Sequence, residues 1–360
     1  MTCAIISRKD FIMEKLNVAV FFGGCSPEYS VSLSSASGVI LNLDREKYNP
    51  VLIGITQKGS WYHYTGSVDK LLNDTWHNSQ DCVPAVLSPN RGEKRLLLLK
   101  EEGVESISLD IAFPVLHGCN GEDGTLQGLL ELVGLPVAGC GTLASALGMD
   151  KDRAHRLVSL KGVRIPRHVV LEKDVSLKQA EAFAEEIGYP LYVKPVKAGS
   201  SYGITRISGR EQLSEAVSLA FQYDTQVLLE ENIEGFEVGC AVLGNGELIT
   251  GEVDEIELSG GFFDFTEKYT LKTSAIHVPA RISDSKAAEI KETAKCIYKA
   301  LGCRGFARVD MFLTPAGDVI YNEVNTIPGF TDHSRYPGMM KAAGYTFRQV
   351  LTRILELALE

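Results

Sequence analysis

Four polar side chains interrupt an otherwise apolar stretch, FARVDMFLTPAGDVIYNEVNTIPG, from Phe306 to Gly329. Arg308, Asp310, Glu323 and Asn325 fall where two short strands should pair around the turn PAGD, Pro315 to Asp318. If that turn closes a hairpin, Thr314 pairs with Val319, Phe312 with Tyr321 and Asp310 with Glu323. Side chains alternate faces along a strand, so Arg308, Asp310, Glu323 and Asn325 share one face. Three oxygen donors without His or Cys suit Mg²⁺, with Mn²⁺ as a substitute, because such an ion keeps waters and shares substrate phosphates. A guanidinium beside them suits phosphoryl transfer or an oxyanion. The plainer reading is a solvent-facing edge with scattered polar residues. Four polar groups on one face, with MFL and VIY flanking them, argue against it.

Other stretches pair polar groups with glycine in ways that suit ligands. HGCNGEDGTLQG, His117 to Gly128, lies between a strand-like and a helix-like run. Its glycines would let backbone N–H groups approach an anion at the helix N-terminus, although a tight surface turn reads the same way. VKPVKAGSSYG, Val193 to Gly203, sets Lys194 on a strand before a loop of small residues, an arrangement able to hold phosphates. That loop also contains G-x-S-x-G, with Ser201 where a hydrolase nucleophile would stand. The pattern requires a helix next, whereas ITRIS reads as a strand. Glu28 precedes a helix, where an acid ordinarily favours the dipole; at the C-terminal end of a strand it could instead hold an ammonium. LLEENIEGFEVG carries Glu230, Glu231, Glu234 and Glu237, fit for ribose hydroxyls or for solvent. GGFFDFTEKYTLKTS is too long and aromatic for a plain connector and reads as a lid over 258–275, bringing Lys268 and Tyr269 to a closed site. Packing or a dimer contact is its alternative.

The elements that must position these groups alternate between strand-like and helix-like runs. NVAVFFGG, NPVLIGIT, LDIAFPVLHG and LPVAGC read as strands of a parallel βα unit, with ligands expected at strand C-termini. A second unit follows, from the helical run TLASALGMDKDRAHRLVSLKG to the strand QVLLEE. The third holds EVGCAVLG, a helix from Asp284 to Leu301 whose apolar residues keep a 3.6 period, the hairpin, and a closing helix. The fold class expected is α/β (α+β), with residues 1–16 as an extension and units over 17–140, 141–231 and 232–360. Two or three domains also suit the 360 residues. A net charge of −10 argues against a nucleic-acid partner. No apolar run reaches membrane-spanning length, and MTCAIISRKDFI is too short and charged for a signal peptide, so no membrane partner and a cytoplasmic location are expected. The eight cysteines lack zinc-site spacing and read as buried free thiols.

Taken together, HGCNGEDGTLQG and LGCRGFARVDMFLTPAGDVIYNEVNTIPG resemble the two signatures of the D-alanine–D-alanine ligase family of ATP-grasp enzymes, and the order of elements agrees from about Asn17 onward. The resemblance implies a three-domain ATP-grasp fold, ATP and two Mg²⁺ ions, D-alanine as first substrate and a homodimer. It places Glu28, Ser200 and Tyr269 at the first D-alanine, with His117 near its carboxylate. It gives Lys151, Lys194 and Lys268 to the ATP phosphates, Glu230 to the adenine side and Glu237 to the ribose. Asp310, Glu323 and Asn325 become metal ligands. Arg308 and the Gly329 N–H become oxyanion donors, and Ser334 binds the second substrate's carboxylate. One departure stands out. After PGFTDHS the common ligases usually carry an apolar residue, and here it is Arg335. A guanidinium there offers hydrogen bonds to a hydroxyl. With EKY kept at Glu267 to Tyr269, the chain resembles most the VanG-type D-alanine–D-serine ligases of glycopeptide resistance. Ordinary D-alanine–D-alanine ligation and D-alanine–D-lactate ligation are the alternatives.

Overall fold

The computed structural model describes residues 15–78, 80–173, 177–199, 202–258 and 274–360. Ser200, Ser201, Lys268, Tyr269 and nearly all of the expected lid lie outside them.

Three sheets carry the fold. In the first, the strand Leu16–Gly23 pairs in parallel with Tyr48–Ile55 on one side and Ile111–Pro114 on the other. Val18 to Phe22 are fully buried, as a continuous apolar run covered on both faces requires. Only this half of the seven-stranded sheet is parallel. Trp61–Tyr64, Cys82–Leu87, Arg95–Lys100 and Gly103–Ser108 extend it as an antiparallel meander that the βα reading does not anticipate. LPVAGC contributes a single bridge, Val137 to Ala112, rather than a strand.

The second sheet is four-stranded and antiparallel, with Leu191–Pro195 and Gln226–Glu231 at its centre. In the third, Phe236–Leu243 lies between Asp254–Leu258 and the hairpin strand Phe306–Leu313. The helix Asp284–Ala300 packs on this sheet through Ile290, Ala294 and Ile297. Two helices close the chain, Arg335–Ala342 and Phe347–Ala358, and both join the core of the first sheet. Two further departures concern local structure. The run TLASALGMDKDRAHRLVSLKG forms two helices, Thr142–Met149 and Lys151–Ser159, broken at Asp150. Cys140, Cys240 and Cys303 are buried, as expected of apolar-run thiols, whereas Cys25 and Cys119 are exposed.

Candidate active site

The hairpin pairs Leu313 with Val319, Phe312 with Ile320 and Met311 with Tyr321, one residue off the register expected from the turn. The loop is shorter than expected. The Gly317 amide donates to Thr314 O at 2.9 Å and the Thr314 amide to Asp318 O at 3.0 Å, so only Pro315 to Gly317 turn the chain. Gly317 takes the left-handed conformation such a loop needs (φ +85°). Asn322 is then unpaired as a bulge, which restores Asp310 opposite Glu323 and sets Arg308 opposite Asn325. The bulge also turns Tyr321 into the core, where it is fully buried. The four polar residues thus do share a face.

On that face the Arg308 Nε donates to Asp310 Oδ1 at 2.8 Å and its Nη2 to Oδ2 at 2.7 Å, while Asn325 Nδ2 donates to Oδ2 at 2.9 Å. Burial opposes the Arg308 charge, but Asp310 outweighs it and raises the guanidinium's pKa. Among the described residues no group of three or more His, Cys, Asp or Glu side chains forms a metal site. The set here is two carboxylates and an amide, all oxygen-bearing, on paired strands. That chemistry fits Mg²⁺ taking its other ligands from phosphates and water.

The hairpin face opens on a cavity of about 550 Å³, lined also by Glu28, His117, Lys151, Gly329, Ser334 and Arg335. Asp310, Lys194, Glu230 and Glu237 are not on its wall. Glu28 is the residue before the helix Tyr29–Asn42, yet its side chain makes no cap. Its carboxylate rests on two glycine loops instead. A Cβ on Gly118 would come within 2.3 Å of Oε2, and one on Gly199 within 2.8 Å. Lys151 owes its place to the break at Asp150. That aspartate caps the second helix by accepting from the Arg153 amide at 3.0 Å, and Lys151 Nζ then reaches Ala198 O at 2.8 Å.

His117 has both ring nitrogens engaged, with Ile327 O at 2.9 Å and Ser35 Oγ at 3.0 Å. Burial pushes its pKa down to about 4, so it is neutral at pH 7. Several amides of the loop that follows are taken by its own acids. Asp123 accepts from the Asn120 and Thr125 amides, and Glu122 from Gly118. Glu122 is a cavity residue that sequence reasoning passed over. Its Oε1 also accepts from the Ile327 amide at 3.1 Å, tying this loop to the one beyond the hairpin. Burial, reinforced by the Glu28 charge, raises its pKa to about 8. Its place inside HGCNGEDGTLQG, among glycines and beside Asp123, is the signal the sequence carries.

Lys194 and Glu230 sit on adjacent strands of the second sheet, one step diagonal, and form a buried ion pair at 2.6 Å. Burial pushes the Glu230 pKa up, but Lys194 and His155 outweigh it and hold it below the ordinary range. Glu230 Oε2 and His155 Nδ1 are 3.9 Å apart, buried, and lack hydrogen-bond partners among the described residues. An orphaned carboxylate oxygen fits the amino group of adenine as donor. Ser334 precedes the helix Arg335–Ala342, and its Oγ accepts from the Thr331 amide at 3.0 Å. Arg335 is buried against carboxylates. Nε and Nη2 bind both oxygens of Asp254, at 2.7 and 2.8 Å, and Nη1 binds Glu237 at 2.6 Å. Asp254, from the strand Asp254–Leu258, is a second residue that sequence reasoning did not single out.

The chain matches known proteins along most of its length. Residues 17–140 match the family described as D-ala D-ala ligase N-terminus, and residues 157–356 match D-ala D-ala ligase C-terminus. The vancomycin B-type resistance protein VanB of Enterococcus faecalis is 43% identical, over 97% of this chain and 100% of that protein. A D-alanine–D-alanine ligase of Caldicellulosiruptor bescii is also 43% identical, over 97% and 96% of the two chains. Among solved structures, the VanG D-Ala:D-Ser ligase of Enterococcus faecalis superposes with a TM-score of 0.89 at 55% identity, covering 96% of this chain and 100% of that one. The fold is the α/β ATP-grasp fold of these enzymes, and the chain belongs to the D-alanine–D-alanine ligase family.

Proposed function

We propose that this protein is an ATP-dependent ligase that joins D-alanine to D-serine and so supplies altered peptidoglycan precursors in glycopeptide resistance. The observation that carries the second substrate is Arg335, a guanidinium on the wall of the cavity that also holds Arg308, Gly329 and Ser334. The likeness to a D-Ala:D-Ser ligase at 55% identity supports it.

In this reading Glu28 anchors the first D-alanine by its ammonium. That substrate's carboxylate oxygen attacks the γ-phosphorus of ATP, the bond to ADP breaks, and D-alanyl phosphate forms. Lys151 and Lys194 neutralise phosphate charge, and Glu230 and Glu237 hold adenine and ribose. Asp310, Glu323 and Asn325 would hold Mg²⁺, which supplies charge neutralisation at the phosphates. The D-serine amine then attacks the acyl carbon. Arg308 and the Gly329 N–H stabilise the tetrahedral oxyanion, which collapses with loss of phosphate. Ser334 holds the incoming carboxylate and Arg335 donates to the incoming hydroxyl. A site built to bond a hydroxyl rejects analogues lacking it more strongly than an apolar pocket discriminates by size.

Incubation with Mg-ATP and D-alanine, alone and with D-serine or D-lactate, tests the reading by mass of the products. D-alanyl-D-serine should dominate when D-serine is present. Predominant D-alanyl-D-alanine under those conditions would make it an ordinary ligase, and no product from any pair would remove the ligase reading.

A further inference from the structure

In the loop just beyond the hairpin, residues 327–331, every residue but Pro328 carries an amide N–H. Ile327 donates to Glu122 Oε1 at 3.1 Å, Phe330 to Ser35 Oγ at 3.2 Å and Thr331 to Ser334 Oγ at 3.0 Å. Among the described residues, the Gly329 N–H alone has no acceptor, and Gly329 lines the cavity. The loop therefore presents one donor, and the bonds on either side set its direction.

Those bonds run through His117 to a single hydroxyl. Ile327 O can only accept, so His117 Nδ1, 2.9 Å away, carries a hydrogen. Burial keeps the ring neutral, so Nε2 bears a lone pair. Ser35 Oγ lies 3.0 Å from that Nε2, and its hydrogen must point there. The lone pairs of Oγ are left for the Phe330 N–H. Ser35 is fully buried, so no water replaces it in this relay. His117 spends both ring nitrogens on the relay and keeps neither for a substrate carboxylate.

We propose that Ser35 is a positioning residue for the oxyanion: its one hydroxyl locks the loop on both sides of Gly329, through His117 at Ile327 and directly at Phe330, and so aims the Gly329 N–H at the acyl carbon's developing negative oxygen. This rests on Gly329 as an oxyanion donor. Ser35 lies on the helix Tyr29–Asn42, about two turns after Glu28. The helix that follows the first-substrate anchor thus also aims the donor for the second step.

The two half-reactions separate the outcomes. With Mg-ATP and D-alanine, scrambling of heavy oxygen from the β,γ-bridge of ATP into the β non-bridge positions reports reversible formation of D-alanyl phosphate, a step with no tetrahedral carbon. Dipeptide formation on adding D-serine passes through that carbon. Ser35→Ala should slow dipeptide formation on the order of tenfold, short of the 10²–10³ for outright loss of a donor. Scrambling and the KM for ATP should stay near wild type, a split that a general loss of structure would not give. Ser35→Cys keeps a similar volume with a weak thiol donor, and should shift the rate in the same direction even if Ser35→Ala folds poorly. Ser37→Ala is the control. Ser37 is buried in the same helix, its Oγ donates to Leu33 O at 2.8 Å, and both rates should be unchanged. Wild-type dipeptide formation by both Ser35 variants overturns the proposal. So does an equal fall in scrambling and ligation, which would place the fault in nucleotide or first-substrate binding. A wild-type enzyme that neither scrambles ATP nor forms dipeptide overturns the ligase reading itself.

Discussion

Asp310 is shared between two guanidiniums, Arg308 and Arg335, both on the cavity wall, and Arg308 is the oxyanion donor of the proposed mechanism. Arg308→Ala should therefore lower turnover on the order of 10²–10³, the loss typical of one oxyanion donor, with nucleotide affinity largely kept. Phosphate release and titration calorimetry with ATP measure the two separately, and near wild-type turnover would remove Arg308 from the chemistry. Glu122 makes a different prediction, in stability. Burial raises its folded pKa from 4.5 to about 8, so the folded chain keeps a proton that the unfolded chain has already released. The stability owed to that neutral carboxyl is complete below about pH 4.5 and is lost as the pH rises towards 8. Glu122→Gln is neutral throughout. Its melting temperature relative to wild type should climb steadily between pH 5 and pH 8. A constant offset over that range would show that Glu122 is ionised in the folded protein.

The break between the helices Thr142–Met149 and Lys151–Ser159 aims Lys151, so element geometry and nucleotide contact are linked there. Asp150→Ala removes the cap on the Arg153 amide and should destabilise the protein by about 1 kcal/mol. It should also raise the KM for ATP, because Lys151 begins the uncapped turn. Steady-state kinetics beside denaturant unfolding checks both, and a stability loss with unchanged KM would separate the cap from the lysine. A continuous apolar period across Asp150 concealed this break, although an aspartate is poor in a helix interior and favoured at a cap. The hairpin was more legible. Period-two alternation put Arg308, Asp310, Glu323 and Asn325 on one face, and the bulge at Asn322 absorbed a loop length that composition does not set. The antiparallel strands from Trp61 to Ser108 escaped because they are short and carry polar residues on open faces. The acids around Arg335 escaped for another reason. Glu237, Asp254 and Asp310 come from three neighbouring strands, and cross-strand register between distant segments is not written in the spacing of any one of them.

Across the whole molecule, the cavity exists because loops from all three sheets meet: Glu28 and His117 from the first, Gly199 from the second, and Arg308 through Arg335 from the third. Phe113, Phe306, Phe330 and Tyr336 lock the first and third together, ring on ring, at centroid separations of 5.2–6.0 Å. Beside them the helix Tyr29–Asn42 makes direct backbone contact with the loop after the hairpin. Ser35 Oγ accepts from the Phe330 amide at 3.2 Å, and a Cβ on Gly38 would stand 2.2 Å from Phe330 O. A carbonyl has no rotamer with which to escape, so Gly38→Ala must push the loop bearing Gly329 and Ser334 away from the helix that follows Glu28. Overpacking of this kind costs about 1–3 kcal/mol. It should also lower the rate of ligation, because the ends of the site that hold the first and second substrates move apart. Gly338 supplies the control. It lies inside the helix Arg335–Ala342 with nothing within 4 Å of its would-be Cβ, and Gly338→Ala should leave turnover intact and gain up to about 1 kcal/mol from helix propensity. Denaturant midpoints and turnover of the two variants, measured side by side, decide whether this backbone contact holds the halves of the site in register. Equal behaviour of Gly38→Ala and Gly338→Ala would assign that task to the aromatic cluster instead.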